Sequence, residues 1–505
     1  MTGTRESVNT PLPPPEVADG DLRRVISSSV AGSAMEWYDF SIYGTASALV
    51  FSDLFFPQFD HTLGLLATFG AYAAGFVARP LGGLFFGRLG DRIGRKAVLV
   101  ATIVLMGTST FLIGLLPTYD AIGIWAGVLL LALRLAQGFG SGAEQAGASL
   151  IVAEFAPPRS RGFFAALPFA GIIVGILLAG GIWTLLQNLP EDALLSWGWR
   201  VPFLLSAVVV LVGLIIRMKV KESPVFEAIR RTGNDTEHPV GKLLRESRRT
   251  LVVAFGLRLG ENGASYLYQV FALTYIADVL LIDKSVGTLG VTIAAACSLV
   301  TIPLVGTLSD RFGRRTLYRV TAAITGLWAF PAFWLMDTGN EVLVVVSLVV
   351  AIAIGVFGMY GVQGAYFPEL FDAEYRYTGV AVSKEFAALL AGGVAPFIAT
   401  AMLGAANQAS WPISLYILGL ACVSFVATFF APETKGCDMT NPCPPRAAHR
   451  PCPDGTTNGN REPTSMPRAN TWANDLLRRA RWSRQVRQDA EPVVSGVPGR
   501  DKVRD

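Results

Sequence analysis

Charge is scarce in this chain of 505 residues. Only 16% of the residues are charged, whereas 52% are hydrophobic, and the mean hydropathy is +0.45. A soluble domain carries about 25% charged residues and needs them to cover its surface. The charges that are present are clustered and leave apolar stretches of roughly 20 residues, enough to cross a hydrocarbon core about 30 Å thick. The composition excludes a large soluble protein and indicates a polytopic membrane protein.

Residues suited to metal, cofactor and catalytic chemistry are also few. The chain has three His and five Cys, and no paired C-x-x-C stands among Cys437, Cys443 and Cys452. No nucleophile–base cluster is present, and the glycine-rich stretches lie in or beside apolar runs rather than in a phosphate-binding loop. We therefore predict no enzyme activity, no cofactor and no metal. The basic residues flank apolar stretches, so no nucleic-acid partner is expected.

Apolar runs between charged clusters predict twelve transmembrane helices, in two sets of six. They span approximately 25–50, 63–87, 97–117, 121–143, 161–187, 200–218, 250–280, 286–308, 316–336, 342–366, 378–403 and 411–431. The expected domains are a cytoplasmic segment (1–23), an N-terminal bundle (24–219), a cytoplasmic loop (220–249), a C-terminal bundle (250–431) and a cytoplasmic tail (432–505). The polar tail is expected to be disordered. A basic amphipathic helix at 472–486 on the membrane surface is the alternative.

The loops on one side of the predicted spans are basic, and those on the other side are mainly acidic. The loop after span 2 carries Arg88, Arg92, Arg95 and Lys96, and the loop after span 8 carries a similar cluster at 311–319. Basic loops favour the cytoplasmic side of a membrane. The first 21 residues contain no apolar core of a cleavable signal peptide. We therefore expect a multi-pass protein of the inner or plasma membrane with both termini in the cytoplasm.

One ten-residue segment occurs twice, at equivalent places in the two halves. Gly87–Lys96 follows span 2 and Gly306–Arg315 follows span 8, an offset of 219 residues. Both copies keep glycines for a tight turn and an Asp that can accept bonds from a neighbouring helix N-terminus. Positive charges that only fix the orientation in the membrane would not need these residues at fixed places. We therefore expect each segment to act as a latch, which stabilises one conformation of a transporter built from two parallel repeats. The predicted gating residues are Gly87, Asp91, Arg92, Gly94, Arg95, Gly306, Asp310, Arg311, Gly313 and Arg314.

The repeated segment resembles the loop pattern G-x-L-x-D-R-x-G-R-[RK] of the major facilitator superfamily. Further segments are similar to its metabolite:proton symporter branch, including EWYDF at 36–40, ARPLGG at 78–83, RLAQGF at 134–139 and PETKG at 432–436. Within that branch the chain is most similar to shikimate transporters, through RLGE at 258–261 and YRYTG at 375–379. The resemblance covers roughly residues 22–436. It implies an all-α polytopic membrane protein with the major facilitator fold, twelve helices in two pseudo-symmetric six-helix halves.

Charged side chains within the apolar spans are the candidate functional residues, because insertion of each at the bilayer centre costs about 2.5–3.5 kcal/mol of free energy on insertion scales. Span 1 carries Glu36 and Asp39, which share one helical face. A proton symporter needs a carboxylate that takes up a proton on one side and releases it on the other. The resemblance implies a pairing of spans 1 and 4, so Asp39, Glu36 and Arg134 are the predicted proton-coupling residues. A static ion pair between helices is the alternative.

Several arginines within spans favour an organic acid as substrate, because a guanidinium binds a carboxylate through two parallel hydrogen bonds. The predicted substrate-binding residues are Arg79, Arg258, Glu261, Tyr38, Tyr43, Gln137 and Gln269. Packing alone is the alternative role for each tyrosine. Arg79 and Arg134 have a second alternative, as anchors at the membrane face.

Two segments depart from the family pattern. Residues 141–148 read SGAEQAGA where relatives usually have a Gly-Gly-Glu-x-Gly-Gly-type stretch. Span 11 has Lys384 and Glu385 where relatives commonly have a neutral Tyr-Gln-like pair. The two charges either neutralise one another or alter the substrate site.

We therefore expect a secondary transporter that takes up a small organic acid, such as shikimate, together with protons by alternating access. It is expected to function as a monomer in the lipid bilayer. The alternative is a proton-coupled proline or betaine symporter, but residues 437–505 lack the sustained heptads of a terminal coiled coil. A receptor built on the same fold would need a large folded cytoplasmic domain, and the polar tail does not provide one.

Overall fold

The computed structural model describes residues 19–59, 61–232 and 239–439. Within these ranges the chain is helical and forms no strand. The expectations for residues 1–18 and 440–505 lie outside the described residues. They include the disordered tail, its amphipathic segment at 472–486, and Cys443 and Cys452.

Twelve long helices follow one another in the described part of the chain. They are α1 (Asp19–Leu49), α2 (His61–Ile93), α3 (Arg95–Leu115), α4 (Trp125–Phe155), α5 (Arg161–Leu186), α6 (Glu191–Met218), α7 (248–279), α8 (Lys284–Phe312), α9 (Arg314–Asp337), α10 (Glu341–Leu370), α11 (Arg376–Ala405) and α12 (Trp411–Phe430). Within the described ranges, nine of them (α3 to α6 and α8 to α12) are long and apolar enough to cross a membrane. Two short helices, Pro224–Thr232 and Pro239–Glu246, lie between α6 and α7.

Helix α4 is longer than predicted. The expected span ends at 143, but the helix continues to Phe155 after a turn at Gly142 and Ala143. A Cβ atom on Gly142 would overlap the carbonyl oxygen of Arg79 on α2. The glycine therefore lets the two backbones touch. The continuation places Glu144 and Glu154 inside the helical bundle, where both are buried.

Glycine also ends α2 and α8. Gly94 and Gly313 are the eighth residues of the two ten-residue segments, and their φ angles are 114° and 101°. Side chains disfavour this region, and α3 and α9 begin at the next residue in each case. The repeat thus forms two equivalent sharp turns at one end of the bundle, called the motif end below.

Helices pack both within each half and between the halves. In the first half α1 packs along α5 and α2 along α4, and in the second half α7 and α9 both pack on α12. Across the halves, α2 lies against α11, and α5 lies against α8 and α10. The contacts α2–α11 and α5–α8 are equivalent, since each joins the second helix of one half to the fifth helix of the other.

Candidate transport site and contacts between the halves

Arg79 on α2 joins the two halves through ion pairs. Its Nη2 donates to Oε1 of Glu36 on α1 at 2.8 Å, and its Nε donates to Oε2 of Glu385 on α11 at 2.7 Å. The three side chains are at most 8% exposed. A buried guanidinium between two carboxylates is costly to separate, because separation leaves an unpaired charge behind. Arg79 therefore lies in the interior of the bundle, bonded to helices of both halves.

Asp39 on α1 is linked to Arg134 on α4 through neutral side chains. Its Oδ2 accepts a hydrogen bond from the Thr110 hydroxyl at 2.9 Å. The hydroxyl oxygen of Thr110 in turn accepts a hydrogen bond from Nε2 of Gln137 at 2.8 Å. Arg134 then donates to Oε1 of Gln137. No ion pair within 4 Å joins Asp39 and Arg134 in the described part of the chain. Their expected pairing is therefore indirect in this conformation.

Aromatic rings account for the position of the Arg134 guanidinium. Its carbon lies 4.3 Å from the ring centroids of Phe40 and Tyr43, and 4.7 Å from that of Tyr72. These rings come from α1 and α2 and attract the cation through their π faces. They hold it away from the Asp39 carboxylate, and they place Tyr43 beside a predicted coupling residue.

Arg258 on α7 forms a second charged cluster between the halves. It donates to Glu261 one turn later and to Oε1 of Gln363 on α10 at 2.8 Å. Its Nη2 also donates to Oε1 of Gln145 on α4 at 3.3 Å. Gln363 bonds Glu261 as well, at 2.8 Å. The predicted pair Arg258 and Glu261 is therefore together, and two glutamines that the sequence reasoning missed complete its bonds.

Lys384 and Glu385 on α11 do not neutralise one another directly. Glu385 is bonded to Arg79, whereas Nζ of Lys384 lies 4.8 Å from the ring centroid of Phe169 on α5. Both side chains are buried. Glu385 therefore belongs to the ion bridge that Arg79 forms with Glu36 and Glu385, and Lys384 is a separate cation beside that bridge.

Two predicted substrate-binding residues lie in helix contacts instead of beside these charges. The hydroxyl of Tyr38 donates to the carbonyl oxygen of Pro202 on α6 at 2.7 Å. Nε2 of Gln269 donates to Ser265 on the same helix at 2.6 Å. In this conformation Tyr38 and Gln269 are bonded within the helix packing.

The repeated Asp caps a helix of the opposite half in each case. Asp91 accepts the backbone N–H groups of Tyr377 and Thr378 at the start of α11, at 3.1 and 2.9 Å. Asp310 accepts those of Gly162 and Phe163 at the start of α5, at 2.8 and 3.0 Å. A carboxylate at a helix N-terminus satisfies free N–H groups and the positive end of the helix dipole. The two caps close the motif end from both halves.

Equivalent Arg–Glu–Arg groups lie beside the two caps. Glu154 at the end of α4 lies 3.5 Å from Arg95 and 3.2 Å from Arg376. Glu369 at the end of α10 lies 3.2 Å from Arg314 and 3.1 Å from Arg161. Arg92 and Arg311, also predicted as gating residues, are exposed.

Sequence reasoning missed Glu154 and Glu369. A usable signal is present, because each glutamate stands seven residues before an arginine, Arg161 or Arg376, and the two pairs repeat at an offset of 215 residues. The predicted end of span 4 at 143 hid this repeat, since it placed Glu154 in a loop.

The helix Pro239–Glu246 between the halves is tied to the turn before α11. Lys242 donates a hydrogen bond to the Glu374 carboxylate. That bond raises the pKa of the Lys242 ammonium above its usual value. The central connection thus contacts the second half at the motif end.

Two repeats of six helices, with reciprocal caps and buried charges between them, define a membrane transport protein. The chain belongs to the major facilitator superfamily, whose family model matches residues 29–396. It is a transporter and not an enzyme. The all-α fold with twelve membrane helices in two pseudo-symmetric halves is confirmed.

Several known transporters are similar along most of their length. The inner membrane metabolite transport protein YhjE of Escherichia coli (strain K12) is 38% identical, over 82% of this chain and 94% of that protein. The shikimate transporter of the same strain is 36% identical, over 82% and 95%. Its proline/betaine transporter is 34% identical, over 83% and 85%. The expected resemblance to metabolite transporters is confirmed.

A solved structure shares the fold. The proton:xylose symporter XylE, bound to 6-bromo-6-deoxy-D-glucose, superposes with a TM-score of 0.66 at 19% sequence identity. The match covers 83% of this chain and 98% of that one.

Proposed function

We propose that this protein takes up a small organic acid together with protons by alternating access. The observation that carries the proposal is Asp39, a fully buried carboxyl group with no cation within ion-pair distance among the described residues. Its Oδ2 is bonded to Thr110, and its Oδ1 has no partner. A carboxyl group in this setting can carry a proton, because neutralisation removes the cost of an isolated buried charge.

The balance of buried charges supports an anionic substrate. Within the proposed transport site, away from the motif end, the buried carboxylates are Glu36, Asp39, Glu261 and Glu385, and the buried cations are Arg79, Arg134, Arg258 and Lys384. The further buried pair of Glu144 and Arg217 is neutral by itself. With all eight ionised the set is neutral. Protonation of one carboxylate leaves one excess positive charge, which a monoanion then neutralises. Proton and anion therefore favour each other in the site.

The proposed orientation places the motif end in the cytoplasm of a cell with the protein in its inner membrane, and both termini on that side. The basic residues of the two turns support this orientation. Opening the motif end separates Asp91 from α11 and Asp310 from α5, and it exposes the buried charges to the cytoplasm. Each single chain contains both repeats, so we propose the monomer as the transporting unit.

Shikimate is the first substrate to test, because the shikimate transporter is among the similar proteins at 36% identity. The similarity to a proline/betaine transporter at 34% identity supports the alternative, proton-coupled osmolyte uptake. A binding role for Arg79 requires release of at least one of its two carboxylates, Glu36 or Glu385.

The test uses the purified full chain in proteoliposomes, with labelled shikimate, proline and glycine betaine. An inward proton gradient is expected to accumulate shikimate, and a protonophore is expected to abolish the accumulation. Asp39→Asn should lose accumulation but keep exchange of internal and external substrate. Asp192→Asn, at an exposed carboxylate of α6, is the matched control.

Three results are decisive against parts of the proposal. Undiminished accumulation by Asp39→Asn removes Asp39 from coupling. Uptake that ignores the gradient contradicts proton symport. Accumulation of proline or betaine without shikimate favours the osmolyte alternative.

A further inference from the structure

Lys384 is a buried cation without a bonded anion. The residue is 1% exposed, and it makes no ion pair within 4 Å and no hydrogen bond with the residues that the structure describes. The ring of Phe169 on α5, in the opposite half, lies 4.8 Å from Nζ. The ammonium therefore lies between the halves, and the ring of Phe169 is the contact that the structure gives it.

The neighbouring carboxylates are already bonded to arginines. Glu36, Glu261 and Glu385 lie within electrostatic range of Lys384. Arg79 holds Glu36 and Glu385, and Arg258 holds Glu261. None of the three is within ion-pair distance of the ammonium.

The other three cations of the proposed transport site have hydrogen-bond partners of their own. The guanidinium groups of Arg79 and Arg258 are bonded to carboxylates. Arg134 donates to Gln137 and is surrounded by aromatic rings. Among these four, Lys384 is the cation that forms neither a hydrogen bond nor an ion pair with the described residues.

The cost of burying the ammonium favours an anionic partner. Removing an ammonium from water costs more free energy than one cation–π contact returns. The contact with Phe169 therefore offsets only part of the cost, and an anion on Nζ would supply the rest.

The surroundings of the ammonium indicate the shape of that anion. The ring of Phe169 lies 5.1 Å from the ring of Tyr360 on α10, and Tyr360 lies 5.2 Å from the Arg258 guanidinium. Aromatic faces thus connect Lys384 to the second charged cluster. Because Arg258 is already bonded to Glu261, the aromatic faces next to Lys384 suit a ring that carries one carboxylate.

We infer that Lys384 anchors the carboxylate of the substrate, and that the substrate is a cyclic or aromatic monocarboxylate whose ring lies against Phe169 and Tyr360. This inference rests on the proposed transport of an organic acid, and it assigns the anchor to Lys384 instead of Arg79 or Arg258. Glu385 is the next residue on α11, so an anion held by Lys384 lies beside the ion bridge that joins the halves. Binding can thereby act on the contact that must change for transport.

The inference is tested by binding to the purified full chain in detergent, with shikimate, benzoate and their methyl esters as probes. The wild type should bind at least one acid about tenfold or more tightly than its neutral ester. In Lys384→Gln the affinity for the acid should fall about 30-fold, because a buried charge pair is lost. The affinity for the ester should stay unchanged.

Two further variants keep the result interpretable. Lys384→Met retains the stem that packs on Phe169 and should behave like Lys384→Gln. Lys384→Arg keeps the charge and should keep the preference for the acid. An equal preference for the acid in the wild type and in the neutral variants overturns the inference, and so does the absence of binding of both acids to the wild type.

Proteoliposome uptake separates this inference from the proposed function. If Lys384→Gln loses the preference for the acid and wild-type uptake is independent of the pH gradient, the role of Lys384 as the anchor is supported and proton coupling is contradicted. If wild-type uptake of the acid is driven by the pH gradient and Lys384→Gln still prefers the acid to its ester, proton coupling is supported and the role of Lys384 as the anchor is contradicted.

Discussion

Two neutral side chains separate Asp39 from Arg134. The Thr110 hydroxyl lies between the carboxylate and Gln137, and Gln137 lies between that hydroxyl and the guanidinium. A direct ion pair would hold Asp39 in its charged form, whereas a chain of neutral groups lets its charge change while the hydrogen bonds rearrange. The indirect link is thus better suited to repeated loading and release of a proton than a tight salt bridge is.

Removal of the Thr110 hydroxyl should weaken coupling more than binding. Thr110→Val is nearly isosteric and leaves a buried carboxylate oxygen without its donor, a loss of about 1–3 kcal/mol. We expect gradient-driven accumulation to fall by about 5- to 100-fold, while exchange without a gradient stays close to wild type. Thr184→Val, at an exposed threonine of α5, is the matched control. Accumulation equal to wild type would show that the link has no role in coupling.

Some of these residues could be predicted from local sequence motifs, whereas the roles of others depend on tertiary contacts that the sequence does not reveal. Asp91 and Asp310 accept bonds from helix N-termini as expected, because the repeated turn fixes their position. Thr110 was missed because it meets Asp39 from another helix, 71 residues away, and no spacing along the chain encodes that contact. Neutralisation of Glu385 by Lys384 was one of two alternatives, but Glu385 bonds Arg79, since the choice between two cations depends on how α2 and α11 pack.

Crossing helices touch at glycine in two different settings. Within the first half, a Cβ atom on Gly138 of α4 would overlap the carbonyl oxygen of Gly75 on α2. Between the halves, a Cβ atom on Gly364 of α10 would overlap the carbonyl oxygen of Ala165 on α5. Under the proposed alternating access, the first contact persists through the transport cycle, whereas the second separates when the motif end opens. The same substitution should therefore have different consequences in the two places.

Gly138→Ala should lower thermal stability, and Gly364→Ala should shift the conformational equilibrium. The added methyl group meets backbone in both cases, and such overpacking costs about 1–3 kcal/mol. In Gly138→Ala the cost falls on the fold of one half, so the midpoint of thermal unfolding should drop. In Gly364→Ala the halves can relieve it by opening the motif end.

Distances between spin labels at Arg159 and Arg311, in a cysteine-free background, should report that opening. Gly180→Ala is the control, because no atom lies within 4 Å of its added Cβ. A drop in thermal stability without a change in label distances for Gly364→Ala would contradict the assignment of this contact to the moving interface.

The whole molecule is closed at the motif end by two caps that repeat each other. Asp91 comes from the first half and caps α11, while Asp310 comes from the second half and caps α5. They share no residue, yet under the proposed alternating access a rigid rotation of one half against the other would break both. The proposal therefore makes the two caps act on a single conformational equilibrium.

This arrangement predicts that the two caps contribute multiplicatively. Asp91→Asn and Asp310→Asn each remove the charge from a helix N-terminus, so each should raise the ratio of open to closed molecules by about 3- to 10-fold. Because the sites are independent and the opening is common, the free energies should add, and the double variant should shift the ratio by the product of the single effects. The same spin-label distances at Arg159 and Arg311 measure all three variants, with Asp192→Asn as a control. A double variant that opens no further than either single variant would mean that each cap opens separately, and the halves would then not move as rigid bodies.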